Sequence, residues 1–240
     1  MRIKRWIRRT LRRYGINPPF TDVVCPRHVK AIRVGADGRT EVNIERTLVF
    51  LDVPEPGDLL DAVPPDAEDD RVSYRSPDAR EVLRTSGRRG TFVHWTPHEP
   101  VVPYALYVHR YGWTTPVSDE EAALYTEFRC DTRTGVVDFE ISTAGRFEAA
   151  VAFKRLRWRP MATQASLVKY ALEQLESDAE RPSITENGSR LEWRLLSPRM
   201  GERYVCVAFH QGGIALWQNR LQASSLLSRM RRLIRPLLPI

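Results

Sequence analysis

Apolar and polar positions alternate with period two through much of the chain from about Val29 onward. Val42 and Ile44 alternate with Glu41, Asn43 and Glu45, and an apolar run at 48–51 follows. Leu124, Thr126, Phe128 and Cys130 alternate with Tyr125, Glu127 and Arg129. Val137, Phe139 and Ile141 alternate with Asp138 and Glu140, and Phe147, Ala149, Val151 and Phe153 continue the rhythm. Successive side chains of an extended chain point to opposite faces, so period two predicts strands. One greasy and one wet face per strand is the mark of antiparallel pairing. The stretch 124–153 therefore reads as a meander. Further strands are predicted at 91–95, 104–113, 204–209 and 214–217, and on either side of Asn187-Gly188. Asp37-Gly38 and Asn187-Gly188 have the residue types of hairpin turns.

Helical period appears in four places. In residues 2–14, Ile3, Trp6, Ile7, Leu11 and Tyr14 share one side, while Arg2, Lys4, Arg5, Arg8, Arg9, Arg12 and Arg13 take the other. Gly15 and Pro18-Pro19 would stop that helix. A second helix is predicted from about Asn219 to Arg235. Its stripe of Leu226, Leu227, Met230, Leu233, Ile234 and Leu237 opposes Arg229, Arg231, Arg232 and Arg235. A third covers 164–177 on Val168, Ala171, Leu172 and Leu175. Ser76-Pro77-Asp78 looks like an N-cap, a first-turn proline and a dipole-favoured acid, so a short helix to Gly87 is expected. Residues 54–70, with four prolines and clustered acids, read as a long solvated loop.

The fold class expected from these elements is α+β, predominantly antiparallel β. It would be a β-sandwich or curled barrel of about nine strands with one internal covering helix and amphipathic N- and C-terminal helices. The expected divisions are a basic helix at 1–15, a β domain at 20–218 and a basic C-terminal helix at 219–240.

Charge sharpens this picture. The 240 residues carry 37 Lys and Arg against 30 Asp and Glu, a net charge of +7. Seven of the basic residues fall in 1–14 and five in 220–240, with no acid in either segment. The remainder has 25 basic and 30 acidic side chains, so the whole positive excess sits in the two end segments. An anion-seeking surface is thus expected to be local rather than general.

A chain of this length buries roughly 70% of its unfolded surface and needs no disulfide or metal to fold. Three widely spaced cysteines, Cys25, Cys130 and Cys206, suit a reducing compartment better than a disulfide framework. Cys130 and Cys206 lie in strand-like runs, as small buried hydrophobes do. No run of 18 apolar residues occurs, so no helix is expected to cross a membrane. The basic N-terminal segment lacks the apolar stretch of a secretory signal. A cytoplasmic location, peripheral to a membrane, is the expectation.

Candidate chemistry is sparse. Cys25-Pro26-Arg27-His28 sets a thiol near a guanidinium and an imidazole, which would lower its pKa and favour nucleophilic work. Cys25 and His28, with His94 and His98, supply four residues of zinc-ligand type, but Pro97 and Pro100 beside His98 spoil a helical presentation. Asp138 and Glu140 are explained by a solvated strand face. No catalytic residue, metal ligand set or cofactor is assigned.

Three readings of the basic helices compete: packing on the β body, docking to anionic lipid, and pairing with nucleic-acid phosphates. The expectation adopted is a non-enzymatic binding module that docks to a protein partner or an anionic membrane surface through these arginines. The alternatives are a nucleic-acid-associated protein using the same arginines, and an enzyme with a pocket around Cys25, His28, His94 and His98.

Overall fold

The computed structural model describes residues 20–53, 60–63, 72–87, 90–116, 122–155, 164–177, 181–185 and 187–234. The helix expected at 1–15 lies outside them. The described strands are β1 (Phe20–Val34), β2 (Arg39–Phe50), β3 (Leu60–Val63), β4 (Ser73–Tyr74), β5 (Ala79–Gly87), β6 (Gly90–Pro97) and β7 (Leu106–Pro116). They continue with β8 (Ala123–Arg129), β9 (Thr132–Thr143), β10 (Phe147–Arg155), β11 (Ser183–Ile184), β12 (Arg190–Leu196) and β13 (Arg203–His210). Two helices, α1 (Gln164–Gln174) and α2 (Gly213–Ile234), complete the described elements. The described residues are thus β-rich with two helices, broadly α+β.

Three sheets form. The large one runs β11-β12-β9-β1-β2-β7-β4, and the smaller ones run β10-β13-β8 and β3-β6-β5. All pairings are antiparallel except β1 with β9. Among the described residues no barrel closes.

Alternation places one face of the large sheet inside. Thr40, Val42 and Ile44 of β2 are buried between exposed or half-buried neighbours, and Leu191, Trp193 and Leu195 do the same on β12. This inner face meets Phe128, Phe147, Ala150, Cys206 and Ala208 of β10-β13-β8 in the main core. The stacked rings of Phe139 and Trp193, 4.6 Å apart, lie in it. The far face of β10-β13-β8 packs Val205, Val207 and Phe209 against Val168 and Ala171 of α1 and Trp217 of α2. A third cluster, of Val23, Leu48, Phe50, Ala79 and Trp95, joins the large sheet to β5 and β6. Full burial of each such large side chain is worth about 1.5–3 kcal/mol.

Several expectations are corrected. The short helix after Ser76 is a strand, β5, paired with β6 along its length. Ser76 and Asp78 do not cap a helix; they clip the chain to β7. Ser76 Oγ donates to the Val108 carbonyl at 2.8 Å, and the Val108 N–H donates to Asp78 at 2.5 Å. The meander is also wrong: β8 and β10 flank β13, whereas β9 lies in the other sheet between β12 and β1. The curled barrel gives way to open sheets with thirteen described strands, because short edge pairings such as β4 with β7 add strands too brief to show a period. The expected loop at 54–70 contains β3, which pairs with β6.

The expected strand at 214–217 is the start of α2, which begins six residues earlier than predicted. Its N–H groups find a partner on β10: Glu148 accepts from Gly212 N–H at 3.0 Å and Ile214 N–H at 2.7 Å. A carboxylate there also meets the positive end of the helix dipole. The Asp37-Gly38 and Asn187-Gly188 turns are where expected, each with its glycine in the left-handed region, at φ 76° and 73°.

Candidate functional site

Two regions gather polar side chains: a row inside the molecule and a trough on its outer face. The inner row follows from strand register. His28 on β1 stands opposite Arg46 on β2, and Arg46 stands opposite His109 on β7. All three lie on the inner face, between the main core and the Phe50–Trp95 cluster. An Arg46 guanidinium nitrogen lies 3.0 Å from His109 Nδ1. The His109 ring stacks on Trp95 at 4.2 Å, and the Arg46 guanidinium lies 5.3 Å from the Tyr111 ring centroid. The His28 ring meets Phe128 edge-on at 5.0 Å, and its Nε2 is buried with no hydrogen-bond partner among the described residues.

Burial pushes His28 and His109 well below the ordinary imidazole range, and the Arg46 charge adds to the effect. One step along β1, burial brings Lys30 down to about 8, with Glu127 opposing. Lys30 Nζ donates to the Glu127 carbonyl at 3.2 Å, satisfying an oxygen of the β8 edge strand. The row is therefore a buried basic seam whose two imidazoles are neutral.

Of the cluster singled out in the sequence, this seam takes in His28. Cys25 lies on β1 and is 1% exposed. Burial drives its thiol up to about 11, outweighing the lowering by Arg46. The lowering of the Cys25 pKa weighed for the enzyme alternative does not arise: burial outweighs it, and the Arg27 side chain turns outward to Asp138. His94 is half-buried on β6, with its Nε2 3.4 Å from Thr85 Oγ1, and His98 is exposed. Among the described residues no three His, Cys, Asp or Glu are grouped to hold a metal ion.

On the outer face of the large sheet, charged positions line up across strands. Asp138 accepts from Arg194 at 2.6 Å and Arg27 at 3.1 Å, and Arg110 pairs with Glu45 at 2.6 Å. Asp138 is not simply solvated, as expected; the two arginines cover it. Burial alone would raise its pKa, but the hydrogen bonds from Arg194 and Arg27 prevail and hold it below the usual carboxylate value. The neighbouring row is made of short side chains: Ala31, Asn43, Gly112 and Ser73 stand side by side on β1, β2, β7 and β4. Between long charged side chains they leave a concavity of about 590 Å³.

The arginines expected to bind anions are placed as follows. Arg2, Lys4, Arg5, Arg8, Arg9, Arg12, Arg13 and Arg235 lie outside the described residues. Arg229, Arg231 and Arg232 fall on the helical backbone of α2, and their side chains lie outside the described ones. Sequence reasoning missed Arg46 and His109. The usable signal was alternation: His109 shares parity with Tyr107, Tyr111 and Trp113, and Arg46 with Ile44 and Leu48, which marks both as inward.

No family model matches the chain, and no curated protein matches it. Among solved structures it is similar to a candidate protease from Parabacteroides distasonis, with 10% identity and a TM-score of 0.46 over 78% of this chain and 40% of that one. It is also similar to an M1 zinc metallopeptidase from Deinococcus radiodurans, with 8% identity and a TM-score of 0.40 over 79% of this chain and 43% of that one. The chain spans less than half the length of either. At this likeness the protease descriptions belong to those proteins. Among the described residues no helix is long and apolar enough to cross a membrane.

Proposed function

We propose that the chain is a non-enzymatic binding module that docks to an anionic membrane surface or a protein partner through basic amphipathic helices in its end segments, in the cytoplasm and peripheral to the membrane. The observation that carries this reading is the confinement of the positive excess to 1–14 and 220–240, both free of acids, around a body with more acids than bases. That α2 runs as helix to Ile234 supports it, because helical spacing puts Leu226, Leu227, Met230, Leu233 and Ile234 along one side and Arg229, Arg231 and Arg232 along the other. Each arginine at an anionic lipid surface would add about 1 kcal/mol.

Co-sedimentation with vesicles of anionic and of neutral lipid tests the proposal. Binding to anionic vesicles that weakens with salt, and that is lost on deleting 1–14 or 220–240, is expected. Equal binding with and without both segments overturns the helix-mediated reading. A salt-dependent shift of random DNA or RNA without vesicle binding would move the arginines to nucleic acid.

A further inference from the structure

The outer trough of the large sheet has a use that the basic ends do not share. Its floor is short because Ala31, Asn43, Gly112 and Ser73 occupy one row over four adjacent strands. Its walls carry unlike charges. On one side Arg75 follows β4 beside Arg110, with the Arg75 N–H donating to the Arg110 carbonyl at 3.3 Å. Arg110 is already matched by Glu45, so the wall's net cation is Arg75, whose exposed side chain has no ion-pair partner among the described residues. On the other side stands Glu41, exposed, with one hydrogen bond from Asn43 Nδ2 at 3.0 Å; it stands between Thr114 on β7 and Arg33 on β1, and forms an ion pair with no cation among the described residues. Val29 and Ala31 add a small apolar area to the lining.

The geometry points to a binding site for a short zwitterionic peptide, its carboxylate on Arg75 and its ammonium on Glu41. The β7 residues next to these two, Arg110 and Thr114, lie about 13 Å apart along the strand, and β2 and β4 are separated by about 10 Å across the sheet. Side chains leaning in from both walls leave a span that suits about three extended residues. The concavity of about 590 Å³ is within the usual range for small-ligand sites. A guanidinium holds a carboxylate through paired N–H donors, and the unlike charge at the far end sets the ligand's direction.

Titration calorimetry with trialanine on the whole chain tests this. Saturable binding is expected, weakened about tenfold by N-acetylation, by C-amidation, by Arg75→Gln and by Glu41→Gln. Both substituted residues are exposed, so these variants keep the fold. Ala31→Leu, which fills the floor without touching a charge, should also abolish binding. No saturable binding, or equal binding of free and doubly blocked peptide, overturns the inference. So does sensitivity to amidation alone, which would leave a simple anion site. Replacing Arg229, Arg231 and Arg232 together with glutamine in the full chain should change none of these results, so the two sites fail or stand separately.

Discussion

Arg46 holds a guanidinium nitrogen 3.0 Å from Nδ1 of His109. A guanidinium only donates, so Nδ1 must accept and the ring carries its proton on Nε2. This contact and the buried setting together keep His109 neutral, as burial and Arg46 do for His28 across the same row.

Acid should therefore loosen the molecule. Both imidazoles have folded pKa values below 6.5, so below about pH 6.5 the unfolded chain takes up protons that the folded chain refuses. Stability present above that pH falls as pH drops, by up to about 1.4 kcal/mol per unit for each group until its folded value is reached. Urea midpoints between pH 8 and 5 measure this, and His109→Gln should flatten the slope. An unchanged midpoint in the parent protein would contradict the neutral seam.

The thiols should be silent. Cys25, Cys130 and Cys206 are buried and form no disulfide, and burial raises the pKa of Cys25 to about 11. A thiol reagent at pH 8 should label none of them rapidly in the native protein and all three in denaturant. Fast native labelling of Cys25 would place it in an accessible site.

The start of α2 depends on two residues. Glu148→Ala removes the acceptor for the Gly212 and Ile214 N–H groups and should cost about 1 kcal/mol. Gly213→Ala should cost more, because a Cβ there would stand 2.2 Å from the Ala122 carbonyl oxygen. Chemical denaturation of both variants ranks the effects, and a neutral Gly213→Ala would contradict the close approach.

Asp138→Asn should be mild by contrast. Its partners Arg27 and Arg194 are largely exposed, so water screens the pairing and the loss should be about 1 kcal/mol, shrinking further in high salt. The carboxylate's lowered pKa means this contribution is present at neutral pH and vanishes as pH falls below about 4. A salt-independent loss of several kcal/mol would indicate a buried pair instead.

Much of the local structure was legible in the chain. Alternation marked β2, β8, β9, β10, β12 and β13, glycine turns marked the hairpins at Gly38 and Gly188, and the Val168–Leu175 stripe marked α1. Local signals misled where they were strong but outweighed. Ser76-Pro77-Asp78 carries helix-start chemistry, yet the following residues pair with β6, and the two polar side chains serve β7. The strand expected at 214–217 is instead the start of α2 because the Glu148 carboxylate that caps it comes from β10, 64 residues before Gly212.

The sequence by itself determined which residues are extended, which faces are apolar and where charge is concentrated, because those properties depend on neighbours one to four positions apart. Only the tertiary structure decided that β8 and β9 belong to different sheets, that His28, Arg46 and His109 form one row, and that four short side chains make a trough. Those relations join residues as far apart in the chain as Phe20 and Thr132. Period two says that a side chain points inward, but strand order and register say whom it meets, and these are set by packing of the whole.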